Sequence, residues 1–263
     1  MLYHPVYKGK IFMKKILIAV AVALLLPLFF CTKNREKTET EIMNENAVLV
    51  EKAEVNLKIK NLESSLKSAE NDFKRATIYQ EISEEESKKG DISAALKNAN
   101  AAVKYQPNLA KSHYMKGMAY LRLARYEESE NELLTAIQLD NSLAPAHFEL
   151  GNLYYKKGKS AKAVSEYLTT VKLDGKHFMA YNNLSVAYST TGRNKEAVES
   201  LKKVTELKPG FAKAYKNLGI IYDLKLKDRR KAAENYRKYL RLRPNAPERK
   251  AVKLWIAELE GGK

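Results

Sequence analysis

The chain has 263 residues, of which 45% are hydrophobic and 30% are charged, so it can bury a core and still present a charged surface. Its single cysteine excludes an intrachain disulfide and a cysteine-based zinc cluster. The net charge of +16 is concentrated toward the C-terminus, because residues 209–263 hold 15 basic and 6 acidic side chains.

The first element in chain order is an apolar run that follows a short basic stretch. Lys14 and Lys15 precede 15 apolar residues, from Ile16 to Phe30. A transmembrane helix needs about 20 apolar residues, whereas this length and these flanks are typical of a secretory signal. Because such a signal begins close to its lysines, we expect Met13 to be the true start of the protein.

The only cysteine, Cys31, lies directly after this run. The stretch from Leu28 to Cys31 resembles a bacterial lipobox, in which a leucine three residues before the cysteine precedes cleavage and lipid attachment. Phe30 stands where that motif has a small residue. The resemblance implies that residues 1–31 are a signal and lipobox region, and that acyl chains on Cys31 hold the protein on a bilayer. The alternative is an uncleaved signal anchor with an incidental cysteine.

Two further elements precede the main body of the chain. Residues 32–46 combine few apolar side chains with mixed charge, which predicts a solvated polar tether. Apolar residues then recur in steps of three and four, at Val55, Ile59, Leu62, Leu66, Ala69, Phe73 and Ala76. This spacing predicts an amphipathic helix over residues 47–75. Its stripe packs on the next element in the preferred interpretation; alternatively, residues 55–76 form a short coiled coil that makes a homodimer.

A 34-residue period runs through the rest of the chain. Tyrosines recur at this period at Tyr120, Tyr154, Tyr188 and Tyr222. A second column of Tyr or His is Tyr79, His113, His147, Tyr181 and Tyr215. A column of small residues is Ser83, Gly117, Gly151, Ser185 and Gly219. Because several columns keep one register, the period indicates stacked repeats, each of which needs its neighbours to bury its apolar face.

These repeats resemble the tetratricopeptide repeat family. The stretches FELGNLYYKKGKSAKAVSEY (148–167) and YNNLSVAYSTTGRNKEAVESL (181–201) carry its order of Leu, small residue, aromatic residue, turn Gly and Ala. The resemblance places repeats at 76–109, 110–143, 144–177, 178–211 and 212–246, the last being one residue longer in its turn. It implies an all-α fold, a right-handed α-solenoid of about five helix pairs with an N-terminal helix and a C-terminal capping helix.

Small residues at fixed positions agree with this fold. Gly151 and Ala163 allow the two helices of one repeat to approach closely, and glycines at the turns are expected to adopt the left-handed conformation that ends the first helix. These turn glycines are Gly90, Gly158 and Gly192. At the end of the stack, residues 247–263 are predicted to form the cap. Trp255 lies on its apolar stripe and is interpreted as cap core rather than as a ligand platform.

The sequence shows no catalytic constellation. His113 and His147 occupy a repeat position that Tyr fills elsewhere, so they are interpreted as packed side chains rather than as a base or a metal pair. The chain has no glycine-rich phosphate loop, no nucleophile elbow and no His-Glu-x-x-His motif. We therefore expect a protein that is not an enzyme and that uses no cofactor and no metal.

The family resemblance implies that binding takes place on the concave surface, which is lined by the first helix of each repeat. The groove positions carried over are Tyr114, Met115, Met118, Arg122, Phe148, Glu149, Asn152, Tyr155, Lys156, Asn182, Asn183, Val186, Lys213, Lys216, Asn217 and Ile220. Asparagine pairs with peptide backbone, whereas methionine and tyrosine accept varied apolar side chains. The groove is therefore predicted to bind an extended or helical segment of a partner protein.

Part of this groove resembles the family's carboxylate clamp, which holds the C-terminal carboxylate of a peptide. Asn152, Asn183 and Lys213 fall at its two asparagine positions and one of its lysine positions. Phe148 and Asn217 replace two further basic residues of the clamp. A general peptide groove that uses the same residues is the preferred interpretation.

The basic C-terminal end is a second candidate surface. Its candidate cations are Arg229, Arg230, Lys231, Arg237, Arg241 and Arg243. Such a patch is typical of nucleic-acid binding, but an exported protein rarely meets nucleic acid. Anionic lipid head groups, cell-wall polymer or an acidic protein are therefore the expected partners. Alternatively, these cations only solubilise the outer faces of two helices.

The overall layout resembles that of envelope-assembly lipoproteins. It implies a non-catalytic scaffold that is exported, anchored to a bacterial inner or outer membrane and facing the periplasm, with a protein or peptide ligand. One alternative is a signal-anchored inner-membrane repeat protein that serves a chaperone or a secretion machine. Another is a structural lipoprotein whose basic end binds cell-wall or lipid surfaces.

Overall fold

The computed structural model describes residues 39–261, in which every regular element is helical. The helices are α1 (Glu39–Lys67), α2 (Asp72–Lys89), α3 (Ile92–Tyr105), α4 (Ala110–Arg122), α5 (Tyr126–Leu139), α6 (Ala144–Lys156), α7 (Ser160–Leu173), α8 (Phe178–Thr190), α9 (Asn194–Leu207), α10 (Ala212–Ile220), α11 (Arg229–Leu242) and α12 (Arg249–Gly261). The predicted signal, Cys31 and the first part of the predicted tether lie outside the described residues. None of these helices is both long and apolar enough to span a bilayer.

Consecutive helices pack as pairs, and the pairs stack in chain order. The five pairs are α2–α3, α4–α5, α6–α7, α8–α9 and α10–α11, with α1 against the first pair and α12 against the last. Each second helix also packs against the first helix of the next pair. This arrangement confirms the predicted α-solenoid of helix pairs with an N-terminal and a C-terminal helix.

The turn inside each pair requires one residue in the left-handed conformation. Gly90, Gly158 and Gly192 adopt it with φ angles of 91°, 73° and 79°, as their positions in the sequence predicted. The second and fifth pairs use Ala124 and Lys227 instead, with φ angles of 58° and 56°. Ala124 and Lys227 each carry a Cβ atom, which the left-handed backbone conformation disfavours sterically, so both turns are strained.

Glycine also permits close packing between the two helices of a pair. A Cβ atom on Gly151 would lie 2.7 Å from the ring of Tyr167, and one on Gly219 would lie 2.5 Å from the ring of Tyr236. Both tyrosines are almost completely buried. The absence of a side chain on α6 and α10 therefore lets an aromatic ring of the second helix lie directly on the first.

Buried apolar side chains in the described range form two separate clusters. The larger cluster extends from Leu133 in α5 to Val252 in α12. The smaller one joins α1 to α2 and contains Ile59, Ala69, Ile78 and Ile82, with Val55, Leu62 and Leu66 packed against them. Between the two clusters, α3 and α4 bury small side chains, among them Ala95, Ala99, Ala102 and Ala119.

The N-terminal helix differs from its predicted bounds. It begins at Glu39, inside the predicted tether, and ends at Lys67 rather than near residue 75. Residues 39–67 contain no Gly or Pro, so nothing in the local sequence interrupts the helix. A new helix starts after Asn71, whose side chain accepts a hydrogen bond of 2.8 Å from the Lys74 backbone N–H.

The apolar stripe of this helix packs within the chain. Val55, Leu62 and Leu66 are partly buried against the smaller cluster, which supports the packing interpretation; the alternative coiled coil stays a prediction. Phe73, also part of the predicted stripe, belongs to the next helix and is 59% exposed.

The extra residue of the last repeat is accommodated by a π-helical turn at Ile221–Lys225. In this turn the Leu226 N–H donates to the Ile221 carbonyl at 3.0 Å, five residues back.

The capping helix α12 buries Val252 completely, whereas Trp255 is 36% exposed with its ring 5.5 Å from that of Tyr236. Trp255 therefore covers the last pair from outside and is not the buried centre of the cap that the sequence predicted.

Candidate functional site

The first helices of neighbouring pairs, α2, α4, α6 and α8, also contact each other directly. Positions 34 residues apart in these helices therefore fall on one surface, which α10 continues. We call this surface the groove. It contains the residues that the sequence predicted to bind a ligand.

A directional chain of amides runs along the groove. Asn217 donates to Asn182 at 3.5 Å, Asn182 donates to Asn183 at 3.0 Å, and Asn183 donates to Asn152 at 2.8 Å. Asn152 in turn donates to Oε2 of Glu149 at 3.0 Å. Because an ionised carboxylate only accepts hydrogen bonds, Glu149 fixes the orientation of every amide before it. We call these five residues the amide chain; it joins α10, α8 and α6.

The amide chain is tied to the core by Tyr167. Its hydroxyl donates to Oδ1 of Asn152 at 2.8 Å. Burial raises the pKa of Tyr167, so its phenol remains a protonated donor. The ring reaches this position because it lies on Gly151. Gly151 therefore has two effects: it lets the two helices of the pair pack closely, and it lets Tyr167 hold the amide of Asn152 in the groove.

Glu149 is the half-buried carboxylate at the end of this chain. Burial raises the pKa of Glu149, while the hydrogen bond from Asn152 and the nearby His177 and Arg122 counteract part of this shift. Its second oxygen, Oε1, accepts no hydrogen bond from residues 39–261. Sequence reasoning placed Glu149 in the groove without giving it a role, because its burial depends on the packing of neighbouring pairs.

A cleft of about 470 Å³ lies between α2 and α4. Tyr114, Met118 and Arg122 line it, as the sequence predicted for groove residues. The opposite side, which sequence reasoning missed, contains the small Ser83 and Ser87 together with the charged Glu84 and Lys88. Burial raises the pKa of Tyr114 to about 12, and the negative charge of Glu149 contributes to this rise. We call this space the cleft.

The remaining predicted groove residues differ in their surroundings. Phe148 is half-buried with its ring 4.6 Å from that of His177, so it forms part of the groove wall. Tyr155 is 38% exposed, and its hydroxyl lies 3.5 Å from that of Thr190. Asn217 also lines a smaller cleft of about 270 Å³ between α8 and α10, together with Val186 and Ile220.

A carboxylate clamp is not preformed in this groove. One N–H of Asn183 and one of Asn152 already donate to groups of the chain, so each amide has a single donor left. Lys213 is exposed, and no described residue holds its side chain in position by a hydrogen bond or an ion pair. Glu149 lies next to Asn152 and would repel a ligand carboxylate at this position.

The candidate cations at the basic end fall into two groups. Arg229 donates to the carbonyls of Glu258 and Leu259 at 2.6 and 3.0 Å, and Arg237 pairs with Glu260. Both arginines therefore hold the end of α12 against α11. Lys231 pairs with Asp228 at 2.8 Å, and Arg230 pairs loosely with Glu234 at 3.7 Å.

Arg241 and Arg243 form the second group. Both are exposed, and neither has a hydrogen bond or ion pair with residues 39–261. Among the predicted anion-binding residues, these two arginines are the ones that no described residue engages through a hydrogen bond or an ion pair.

The two histidines in the helix pairs are structural. Nδ1 of His113 and of His147 lies 2.7 Å from a carboxylate, that of Glu132 and Glu166 respectively. The Nε2 atom of each faces a backbone carbonyl of the preceding turn, at 2.8 and 3.2 Å. Across the described part of the chain, no group of three or more His, Cys, Asp or Glu side chains is placed to hold a metal ion.

Comparisons with known proteins agree with this architecture. The tetratricopeptide repeat model matches residues 144–177, 180–211 and 212–246, and a further TPR repeat model matches residues 117–158. A search of curated protein sequences gives no match.

Three solved structures illustrate the similarity. The MamA protein is 25% identical with a TM-score of 0.58, over 68% of this chain and 94% of that one. YrrB, described as a TPR protein with an unusual peptide-binding site, is 21% identical with a TM-score of 0.62, over 73% and 97% of the two chains. The pilF protein of Pseudomonas aeruginosa is 14% identical with a TM-score of 0.63, over 71% and 85%. Residues 117–177 and 180–246 are therefore tetratricopeptide repeats, and the fold is an α-solenoid of their helix pairs.

Proposed function

We propose that this protein is a non-catalytic scaffold that binds an extended or helical segment of a partner protein in its groove. The amide chain is the observation that carries this proposal. It links side chains from three consecutive helix pairs into one polar track, from Asn217 to Glu149, and the cleft lies between the two pairs that precede them.

The hydrogen-bonding capacity of the amide chain suits a peptide backbone. Each carboxamide has two N–H donors, and the chain uses one of them at Asn152, Asn182, Asn183 and Asn217. Asn152, Asn183 and Asn217 are half-buried, so the second donor of each remains for a backbone carbonyl of the ligand. Asn182 is 1% exposed and serves only to link its neighbours. YrrB, which shares the fold, is described as having a peptide-binding site, and this supports the same type of ligand here.

Direct binding to the full-length protein tests this function. Peptides selected from a random library on the wild type should lose at least about tenfold in affinity to the variant Tyr155→Ala, Asn183→Ala. The matched control, Leu168→Ala, changes a 42% exposed side chain of α7 outside the groove and should leave binding unchanged. Failure of every library peptide to bind, or equal binding to the groove variant, would contradict the proposal.

We further propose that Cys31 carries the membrane anchor and that the protein acts in assembly of the bacterial envelope, facing the periplasm. The support comes from the sequence, because the only cysteine follows a signal-like apolar run. The helix α1 begins eight positions after Cys31, so an acyl anchor would keep the solenoid close to the bilayer.

Metabolic labelling with a fatty acid distinguishes the two kinds of anchor. The wild type should incorporate label, and Cys31→Ala should lose both the label and tight membrane association. If Cys31→Ala remains tightly bound to membranes and the wild type is unlabelled, the protein is instead held by an uncleaved signal, as in an inner-membrane protein that serves a chaperone or secretion machine.

A second candidate function is binding of an anionic surface by the basic end. The exposed and unpaired Arg241 and Arg243 favour it. The variant Arg241→Glu, Arg243→Glu should then reduce cosedimentation with anionic vesicles or cell-wall polymer, while binding of library peptides is retained. Arg229 is unsuitable for this test because its replacement would release α12.

A further inference from the structure

We propose that the groove selects a partner segment with two features: a large apolar side chain that fills the cleft, and a lysine or arginine whose cation pairs with Glu149. This inference rests on the proposed function and goes beyond it by specifying the chemistry of the ligand.

The cleft is suited to a large apolar side chain. Its volume of about 470 Å³ exceeds that of one aromatic or aliphatic side chain and is typical of a ligand site. Met115 and Met118 on α4 provide flexible apolar surface that adapts to different shapes. Most polar groups of the lining are already engaged, because the Ser83 hydroxyl donates to the Ala95 carbonyl at 2.8 Å and Arg122 donates to the Ser87 carbonyl at 2.9 Å. Lys88 in turn pairs with Glu84 at 3.3 Å.

The cleft exists because the first pair has small side chains at positions where the third pair has large ones. Ser87 occupies the repeat position of Tyr155, and Ala99 occupies that of Tyr167. The first pair therefore does not fill the space beside Met118. The fourth pair shares a serine at the first of these positions, Ser189, but has Leu201 at the second, and its cleft measures only about 270 Å³. The ligand's large apolar side chain therefore has one preferred position along the groove.

Glu149 is suited to a cation. It is half-buried, its Oε2 accepts from Asn152, and its Oε1 accepts no hydrogen bond from the described residues. No Lys or Arg of residues 39–261 forms an ion pair with Glu149; the nearby Arg122 is directed to the Ser87 carbonyl. An unpaired carboxylate in a partly dry site is unfavourable, and a ligand cation would compensate for its lost hydration.

The amide chain helps to keep Glu149 ionised. Each of its N–H groups points toward Glu149, so the positive ends of the aligned bond dipoles face the carboxylate and stabilise its negative charge. The ionised carboxylate attracts a lysine or arginine and repels a peptide carboxylate.

The two subsites lie on contacting helices, because α4 lines the cleft and Glu149 belongs to α6, which contacts α4. Tyr114 lines the cleft, and its phenol also experiences the negative charge of Glu149. The same ligand can therefore place an apolar side chain in the cleft and a cation at Glu149, with its backbone along the amide chain.

The test uses the full-length protein and peptides selected from a random library. Selected peptides should be enriched in one large apolar residue and one Lys or Arg at a constant spacing. Replacing that Lys or Arg by Gln should weaken binding to the wild type by about tenfold or more. Glu149→Gln should remove the difference between the two peptides, whereas the exposed control Glu199→Gln should keep it.

A second variant addresses the cleft. Ser87→Leu adds a side chain at its lining and should weaken binding of peptides with the large apolar residue by about tenfold, but not of their alanine versions. Ser165→Leu adds the same side chain at an exposed position of α7 and should have no effect.

A stability control accompanies Glu149→Gln. Its thermal midpoint should not fall, because the change removes a half-buried charge. Loss of peptide binding by Glu149→Gln would then not reflect unfolding.

Three outcomes overturn the inference. If groove-dependent peptides show no enrichment in Lys or Arg, or if Glu149→Gln keeps the preference, the cation subsite is wrong while the proposed function stands. Selection of peptides that require a free C-terminal carboxylate would show a carboxylate clamp instead. If no peptide binds the groove at all, both the proposed function and this inference fail.

Discussion

The first and third helix pairs share one backbone plan but are held together by different interactions. In the third pair, Gly151 lies against the buried ring of Tyr167, and Leu150 and Leu153 are completely buried. In the first pair, the residue equivalent to Gly151 is Ser83, whose hydroxyl donates to the Ala95 carbonyl at 2.8 Å. The same helix–turn–helix unit is thus closed by apolar packing in one case and by a buried hydrogen bond in the other.

The first pair also buries more charged and polar groups. Glu85 is 4% exposed and accepts hydrogen bonds from Lys58 and Lys88, and Gln80 donates to the Ser112 hydroxyl at 2.8 Å. A buried hydrogen bond contributes a net ~0.5–1.5 kcal/mol, whereas full burial of a large apolar side chain contributes ~1.5–3 kcal/mol. In a repeat protein, stability is approximately local, so the N-terminal end should open before the middle.

The largest effect is expected in the middle of the stack. Leu150→Ala should lower the free energy of unfolding by about 2–5 kcal/mol, because it leaves a cavity in the larger apolar cluster. Chemical denaturation followed by circular dichroism measures this loss. Leu168→Ala, at a 42% exposed position of the same pair, should cost less than about 1 kcal/mol. Equal losses would show that the middle is not held by this packing.

The glycine contact gives the next largest effect. Gly151→Ala should cost about 1–3 kcal/mol, because its Cβ atom would meet the Tyr167 ring at 2.7 Å. Adding Tyr167→Leu should recover part of the loss, since Gly117 and Ser185 face leucines at the equivalent position. Denaturation of the single and double variants measures the coupling. A double variant that is no more stable than Gly151→Ala would refute this account.

The ion pairs of the first pair should make its N-terminal end sensitive to acid. Burial alone would raise the pKa of Glu85, but the hydrogen bonds from Lys58 and Lys88 outweigh it and hold the pKa below its ordinary 4.5. A carboxyl with a lowered folded-state pKa stabilises the fold above its unfolded-state pKa, and this stabilisation is lost as pH falls through the folded-state value. Below about pH 4.5, α1 should therefore detach before α6–α11 unfold.

Hydrogen exchange, corrected for its intrinsic pH dependence, measures this detachment helix by helix. Glu85→Gln should raise exchange in α1 at neutral pH and reduce its further change in acid. Glu81→Gln, at an exposed position of the same helix, is the matched control. Acid-induced exchange that rises uniformly along the solenoid would contradict the difference between the two regions.

The smallest effect concerns the turns. Ala124 has a φ angle of 58° where the third pair has Gly158. Ala124→Gly should stabilise the protein by up to about 1 kcal/mol, because relief of strain exceeds the added entropy of the unfolded chain. Gly158→Ala should have the opposite sign. Thermal midpoints of the two variants would decide the point, and a fall in both would exclude backbone strain as the cause.

Much of the fold could be predicted from the sequence because the relevant information is local. The 34-residue period indicated stacked helix pairs, and Gly90, Gly158 and Gly192 marked where three of the first helices end. The same register placed Asn152, Asn183 and Tyr114 on one surface. Only α1 departed strongly, because composition suggested a tether at 32–46 while residues from Glu39 form a continuous helix.

The properties of the groove depended on contacts between distant positions. Asn183 donates to Asn152, 31 residues away, and Tyr167 donates to the same amide from the second helix of its pair. At the basic end, Arg229 is engaged by carbonyls about 30 residues later in the chain. A sequence pattern records which side chains share a face, but it does not record which of them are already paired.

The sequence by itself therefore determined the repeat, its register and the residues of the groove, since helix periodicity and turn chemistry act over a few residues. Only the tertiary structure decided that four asparagines donate in series to a half-buried Glu149, and that the small side chains of the first pair leave a cleft beside Met118. Both features arise where neighbouring pairs meet. Packing between pairs sets the burial, hydrogen bonding and charge that a ligand would experience.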